Sequence, residues 1–426
     1  MPHPPLPHSR GTLGRHGCLG AALIGAILAA SCAPGGGGPV PPPVGEPELK
    51  IGLLVGAPTV RVGGDQDVTV LGPNAAVVPG APTSRDWTLL PDKEAVVLVA
   101  PSGWRSASLT EVTLVPTSPG TSLTVNERAY RGRIGVVRDR TGLTVVNRVG
   151  LEAYLASVVS AEMGRRDSTD TEALAAQAVI SRTFAIRNVG KRRLEGFDLY
   201  ATVVDQVYGG VSAETSLSWR AVRETSGQIL THHGVPIDAF FFSTCGGRTA
   251  DGTEVFSGAE RDYLKSIRDE DGNGQAYCSL SPRFRWREEW SADELKSILL
   301  RTLPPVLNGA VPNLDKLKSV RVVQRTASDR VSRIAIDAGD REITVDGPAI
   351  RQVLRPTIEQ PLRSSSFTLR SDGSSKGLAR LVAEGNGAGH GVGFCQWGAV
   401  GRARAGQGFA QILAAYFQET DLQRIY

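Results

Sequence analysis

A carboxyl group in an apolar setting is the first feature of this sequence that could do chemistry. Glu162 closes a helical run carrying Leu155, Val158 and Val159, and Met163 follows it directly. Apolar neighbours disfavour the charged form, so a glutamic acid placed there can donate a proton near neutral pH and recover it afterwards. Arg165 and Arg166 would oppose this if they pointed inward, and a surface glutamate ending a helix is the plainer alternative. His390 is a second candidate. It lies in the glycine-rich segment from Gly387 to Gly393, where backbone can approach a ligand closely, although a turn histidine bonded to backbone fits the same pattern. Gln177 and Arg182 fall on or near one helical face, and Gln206 and Tyr208 follow a strand-like run; each can line a groove or serve as internal scaffolding.

The elements that must position these groups divide into two regions. From Leu49 to about Val146, short apolar or alternating runs recur, among them Lys50 to Val55, Val68 to Val70, Ala95 to Val99, Leu109 to Leu114, Ile134 to Val137 and Leu143 to Val146. Pro, Gly, Asn and Asp separate them, which predicts a β-rich region that packs or positions rather than reacts. From Gly150 the pattern turns helical, with Tyr154, Val158 and Ala161 on one stripe. Thr169 to Glu172 and Ser291 to Glu294 both have the spacing of a capping box. Val320 to Val323, Val331 to Ile336 and Glu342 to Val345 read as strands, and Phe409 to Phe417 as a helix. The fold class is α+β, with 48–142 a β-rich N-terminal region and 143–426 a domain of mixed helices and antiparallel strands; no fixed-period repeat is visible.

The N-terminus reads as an export signal. Arg10 and Arg15 precede an uncharged apolar stretch from Cys18 to Ala30, too short for a spanning helix, which ends in Leu28-Ala29-Ala30-Ser31-Cys32. That ending is similar to a lipobox, so residues 1–32 are expected to be a signal peptide with lipidation at Cys32 and a membrane contact through the lipid. Residues 33–47, rich in Gly and Pro, are a semi-extended tether. Lys+Arg 47 against Asp+Glu 43 is too balanced for a nucleic-acid partner. After export the folded part keeps Cys245, Cys278 and Cys395, with His232, His233 and His390, and shows no zinc-knuckle spacing. An oxidising compartment favours a Cys245–Cys278 disulfide with Cys395 free and buried over a cysteine-ligated metal.

Several segments in a fixed order carry a family resemblance. Asn147-Arg148-Val149-Gly150-Leu151-Glu152-Ala153-Tyr154-Leu155 leads to Ser160-Ala161-Glu162-Met163, then to Glu172-Ala173-Leu174-Ala175-Ala176-Gln177 and Ser181-Arg182-Thr183-Phe184. Asp205-Gln206-Val207-Tyr208-Gly209-Gly210, Phe242-Ser243-Thr244-Cys245-Gly246-Gly247 and Gly389-His390-Gly391-Val392-Gly393-Phe394-Cys395-Gln396-Trp397-Gly398 follow. From Leu143 to Tyr426 the chain resembles the SpoIID/LytB family. That resemblance implies a peptidoglycan lytic transglycosylase, which cleaves MurNAc–GlcNAc strands, peptide-stripped ones in the first place, to 1,6-anhydro products. It implies Glu162 as catalytic acid and puts Gln177, Arg182, Gln206, Tyr208, His390 and Gln396 near the glycan. It also implies the alternative of a non-catalytic, glycan-binding modifier of a cell-wall amidase, because the family includes such a protein. Some members carry zinc, yet no cofactor and no metal ligand are expected here. Where the family has Pro after the Met, this sequence has Gly164.

Overall fold

The computed structural model describes residues 45–118, 120–256, 258–310, 312–374 and 377–426; the signal-like segment, Cys32 and most of the tether lie outside them. Two antiparallel sheets dominate the first hundred described residues. The larger has six strands in the order Leu199–Tyr200, Glu48–Ala57, Leu143–Gly150, Arg133–Arg138, Glu111–Pro116 and Val68–Leu71, antiparallel except where Leu199–Tyr200 joins in parallel. Alternation decides its faces: Leu49 and Ile51 are buried, Glu48 and Lys50 exposed, and Ile134 and Val136 fill the same core. The second sheet runs Ala95–Val99, Asp86–Asp92, Val60–Gly64, Leu123–Val125, Arg128–Tyr130. Two of its strands escape a pattern search, because Val60–Gly64 ends in two glycines and Asp86–Asp92 contains Pro91.

The expected boundary at 142/143 falls inside the larger sheet. Leu143–Gly150 pairs with Glu48–Ala57 on one side and Arg133–Arg138 on the other, with Ile51 opposite Asn147 and Val145 opposite Val136. Helix α1 (Leu151–Met163) leaves that strand at Gly150, so the β-rich region directly aims the helix that carries Glu162. Helix α2 (Thr171–Asn188) is buried on nearly all sides, and its alanines at 173, 175, 176 and 178 let neighbours approach closely. The capping box expected at Thr169 is not formed. Asp167 instead caps a short 3-10 turn at Ser168–Asp170, while the Glu172 carboxylate accepts the Phe409 N–H at 2.7 Å. Helix α3 (Ser216–Glu224) packs against α1 and α2.

A second core follows. Strand Arg285–Ser291, helix α4 (Ala292–Thr302), the sheet of Ser319–Arg325, Val331–Asp337 and Glu342–Asp346, helix α5 (Ala349–Val353) and the hairpin Phe367–Ser374/Gly377–Asn386 enclose Trp290, Leu295, Leu299, Ile334 and Leu381. Here the Ser291 box does form, Ser291 and Glu294 each capping the other's N–H. The chain then returns through Gly387–Gly393 to helices α6 (Gln396–Arg404) and α7 (Phe409–Tyr416), which rejoin the first core. Asp421–Arg424 finally pairs with Gln228–His232. The architecture is α+β, and no helix among the described residues is long and apolar enough to cross a membrane.

Candidate functional site

Glu162 stands on the last turn of α1 and is half-buried. Gly164 stops the helix one residue after Met163 with φ 69° and ψ −165°, a conformation open to glycine and closed to proline. That geometry accounts for the glycine at this point. One carboxylate oxygen, Oε1, accepts the Val207 N–H at 2.8 Å, and no other hydrogen bond reaches the group among the described residues. Burial pushes its pKa up, the Val207 N–H pulls it partly back, and no arginine takes part. The arginines that could have opposed it point elsewhere. Arg165 is exposed, and Arg166 stacks over Trp397 at 4.3 Å and faces Asp170 at 4.0 Å.

Val207 is held by a buried polar chain that joins the β-rich region to the helices. Asn147 donates to the carbonyls of Arg131 at 2.8 Å and Arg133 at 3.1 Å, and its Oδ1 accepts from Tyr208 Oη at 2.9 Å. The Tyr208 ring sits 5.5 Å from Tyr130 and 5.0 Å from Tyr154. Tyr154 Oη donates to Gln206 Oε1 at 3.2 Å, and Gln206 Nε2 is buried without a hydrogen-bond partner. Gln206 and Tyr208 thus flank the Val207 N–H that binds Glu162 and fix it from both sides. They are enclosed, at 0% and 2% exposure, and hold the backbone partner of the Glu162 carboxyl rather than line a groove.

The other residues expected at the glycan are likewise internal. Arg182 is fully buried and binds Glu152 through Nε at 2.8 Å and Nη2 at 2.7 Å, with the Gln228 carbonyl at 3.0 Å. Gln177 donates to Ser181 at 3.0 Å and accepts from Gln396 at 3.4 Å, so those two glutamines tie α2 to α6. His390 sits apart from Glu162's hydrogen-bonded partners. Its Nδ1 accepts the Val392 N–H at 3.2 Å, which leaves Nε2 as the donor to the Phe241 carbonyl at 2.9 Å. Phe240, Phe242 and Phe256 surround the ring, and burial, outweighing the Phe241 bond, lowers its pKa to about 4. The glycines beside it allow protein to approach protein: a side chain at Gly391 would strike the Arg330 guanidinium at 2.5 Å, and one at Gly387 the Thr244 carbonyl at 2.4 Å.

The expected Cys245–Cys278 disulfide is not formed. Their sulfurs lie 3.4 Å apart, and Cys395 and Asp269 share the same buried cluster, so no two thiols stand alone as a pair. The sequence reading missed Asp269, whose position between Arg268 and Glu270 gives no signal of burial.

Comparison with known proteins adds the lineage. Residues 139–232 match the family model described as stage II sporulation protein, SpoIID. The chain is 29% identical over 328 residues to stage II sporulation protein D of Bacillus subtilis, covering 73% of this chain and 85% of that one. An uncharacterized protein of Brachyspira hyodysenteriae is 29% identical over 303 residues, 70% of this chain and 73% of its own. An amidase enhancer of Bacillus subtilis is 26% identical over 285 residues, 60% of this chain and 38% of its own. The SpoIID match and these relatives support the SpoIID/LytB family for this chain. The SpoIID match contains Glu162, Gln177, Arg182, Gln206 and Tyr208. A second match, to a domain of unknown function over residues 275–393, spans the second core and His390.

Proposed function

We propose that this SpoIID/LytB protein acts on the bacterial cell wall as a lytic transglycosylase, with Glu162 as its acid and then its base. The observation that carries the reading is the state of that carboxyl. It is held through Oε1 by Val207, raised in pKa by burial, and bonded to no other described residue, so it can hold a proton for the scissile oxygen. Most glycosidases use two carboxylates. In this scheme Glu162 protonates the oxygen that bridges MurNAc C1 to GlcNAc C4, and the C1–O bond breaks. The C6 hydroxyl of the same MurNAc then bonds to C1, and its proton passes to the Glu162 carboxylate, which restores the acid. Oxygen, carbon and proton balance without water.

The same proposal places the chain outside the cytoplasm, tethered through a lipid on Cys32, with glycan strands as substrate. A second reading is supported by the relative named amidase enhancer: a non-catalytic, glycan-binding modifier of a cell-wall amidase. The enclosure of Gln177, Arg182, Gln206, Tyr208 and Gln396 favours neither reading, since none is free to grip a sugar in either.

Chromatography of digests of peptide-stripped strands separates the two. Wild type should release anhydromuramyl products, and Glu162→Gln should release them about 10²–10⁴-fold more slowly while still binding strands. Equal release would remove Glu162 from the mechanism, and no release by wild type from any glycan would favour the amidase modifier. Equal membrane partitioning of wild type and Cys32→Ser would refute the anchor.

A further inference from the structure

The buried cluster of Cys245, Cys278, Cys395 and Asp269 is built from three remote parts of the chain. Cys245 follows the strand Phe241–Phe242, Asp269 and Cys278 belong to the stretch that precedes Arg285, and Cys395 is the N-cap of α6. One ligand atom from each of the four lies within 4.8 Å of every other, and all four residues are buried. We infer that this cluster is a structural zinc site, with three thiolates and one carboxylate oxygen as ligands.

The distances fit. Tetrahedral zinc with Zn–S of about 2.3 Å and Zn–O of about 2.1 Å separates two sulfurs by roughly 3.8 Å and a sulfur from an oxygen by roughly 3.6 Å. Here Cys245 Sγ lies 3.4 Å from Cys278 Sγ and 3.3 Å from Asp269 Oδ2. A disulfide would leave the third thiol and the carboxylate in the same pocket without a purpose.

The groups around the ligands suit bound metal. Backbone N–H groups point at the sulfurs, from Cys245 and Gly398 to Cys395 Sγ at 3.1 and 3.2 Å and from Gly247 to Cys245 Sγ at 3.4 Å. The carboxylate is oriented by Arg402 Nε on Oδ1 at 2.9 Å and Tyr416 Oη on Oδ2 at 2.8 Å, the kind of outer support that metal-binding carboxylates receive. Zinc with three thiolates and a carboxylate carries two net negative charges. Arg402 binds the Asp269 carboxylate, and the buried Arg330 donates to the Cys245 carbonyl at 3.3 Å, with Glu254 also near it.

The site also answers a structural need. Between Phe242 and Arg285 the described residues form two 3-10 turns, at Gly252–Glu254 and Tyr277–Leu280, and isolated bridges such as Thr244 to Ala388 and Ala250 to Val392, with no longer regular element, and a structural metal would fasten such a stretch further. Metal bonds at Cys245, Asp269 and Cys278 pin it to the start of α6, where Gln396 reaches Gln177 and Trp397 stacks on Arg166. Metal binding is thereby coupled to folding of the region beside Glu162.

The test uses the full mature chain, purified without chelator. Elemental analysis after dialysis should find one zinc per chain, and a thiol reagent should label none of the three cysteines until chelator and denaturant are added together. Cys278→Ser and Asp269→Asn should retain less than a tenth of that zinc. Should either variant fail to fold, cobalt(II) offered to metal-depleted wild type should give the intense visible bands of tetrahedral thiolate coordination. Metal-free wild type with a Cys245–Cys278 disulfide, metal-free wild type with three reactive thiols, zinc retained in full by a folded Cys278→Ser, or a wild type that gives no cobalt bands would each overturn the inference.

Discussion

Glu162 and His390 come from equally conspicuous segments, yet the protein treats them in opposite ways. Both are partly buried, and burial moves each toward its neutral form, upward for the acid and downward for the base. What separates them is hydrogen bonding. His390 spends both ring nitrogens on backbone, at Val392 and Phe241, whereas Glu162 spends one oxygen on Val207. A perturbed pKa therefore accompanies two different arrangements here: a carboxyl with an unbonded oxygen at the end of α1, and a locked wedge among Phe240, Phe242 and Phe256. Unspent bonding capacity, more than burial, is what separates the two groups.

The largest effect on stability should come from the scaffold on the Glu162 side. Arg182→Ala leaves Glu152 without its bidentate partner in the interior, and breaking such a pair costs about 3–5 kcal/mol. Denaturant unfolding would show it, and a loss under 1 kcal/mol would mean that the helices do not depend on that pair. Next comes the wedge. His390 has a folded pKa of about 4, below the 6.5 of the free side chain, so its contribution is complete above pH 6.5 and is lost as pH falls through 4. The loss amounts to roughly 3 kcal/mol. Melting followed from pH 7 to 3.5 should show this decline, and His390→Gln should flatten it; an unchanged decline would assign it to carboxylates instead.

Smaller effects refine the contrast. Tyr208→Phe leaves Asn147 Oδ1 short of a donor in a buried place, a cost of about 1–3 kcal/mol, and loosens the segment that presents the Val207 N–H. Its turnover should fall along with its stability. Ser291→Ala removes a cap in the second core, at about 1 kcal/mol, and turnover there should stay at the wild-type value. A drop in turnover for Ser291→Ala equal to that of Tyr208→Phe would erase the distinction between the two regions.

Much of this was legible in the sequence, for physical reasons that differ along the chain. Lys50 to Val55, Ala95 to Val99 and Val331 to Ile336 alternate or run apolar strongly enough to declare their strands. The Ser291 box declares its helix. Thr169 to Glu172 has the same spacing but not the structure, because Glu172 finds the distant Phe409 N–H, a partner that spacing cannot reveal. Gln177, Arg182, Gln206 and Tyr208 looked as apt for a groove as for an interior. Only tertiary packing decides between these, and it encloses all four. The cysteines were visible as an odd set. Their meeting with Asp269 depends on a loop closure that leaves no local trace.

In the proposed function Glu162 acts as a proton donor because it is half-buried and half-unbonded, and the pH dependence of kcat/KM on glycan strands tests that most directly. A general acid must be protonated in the free enzyme, so the rate should fall as pH rises through the pKa of Glu162, at a midpoint above the ordinary glutamate value. Glu162→Gln should lose both the rate and this descending limb. A limb that persists unchanged in Glu162→Gln, with comparable turnover, would contradict the account.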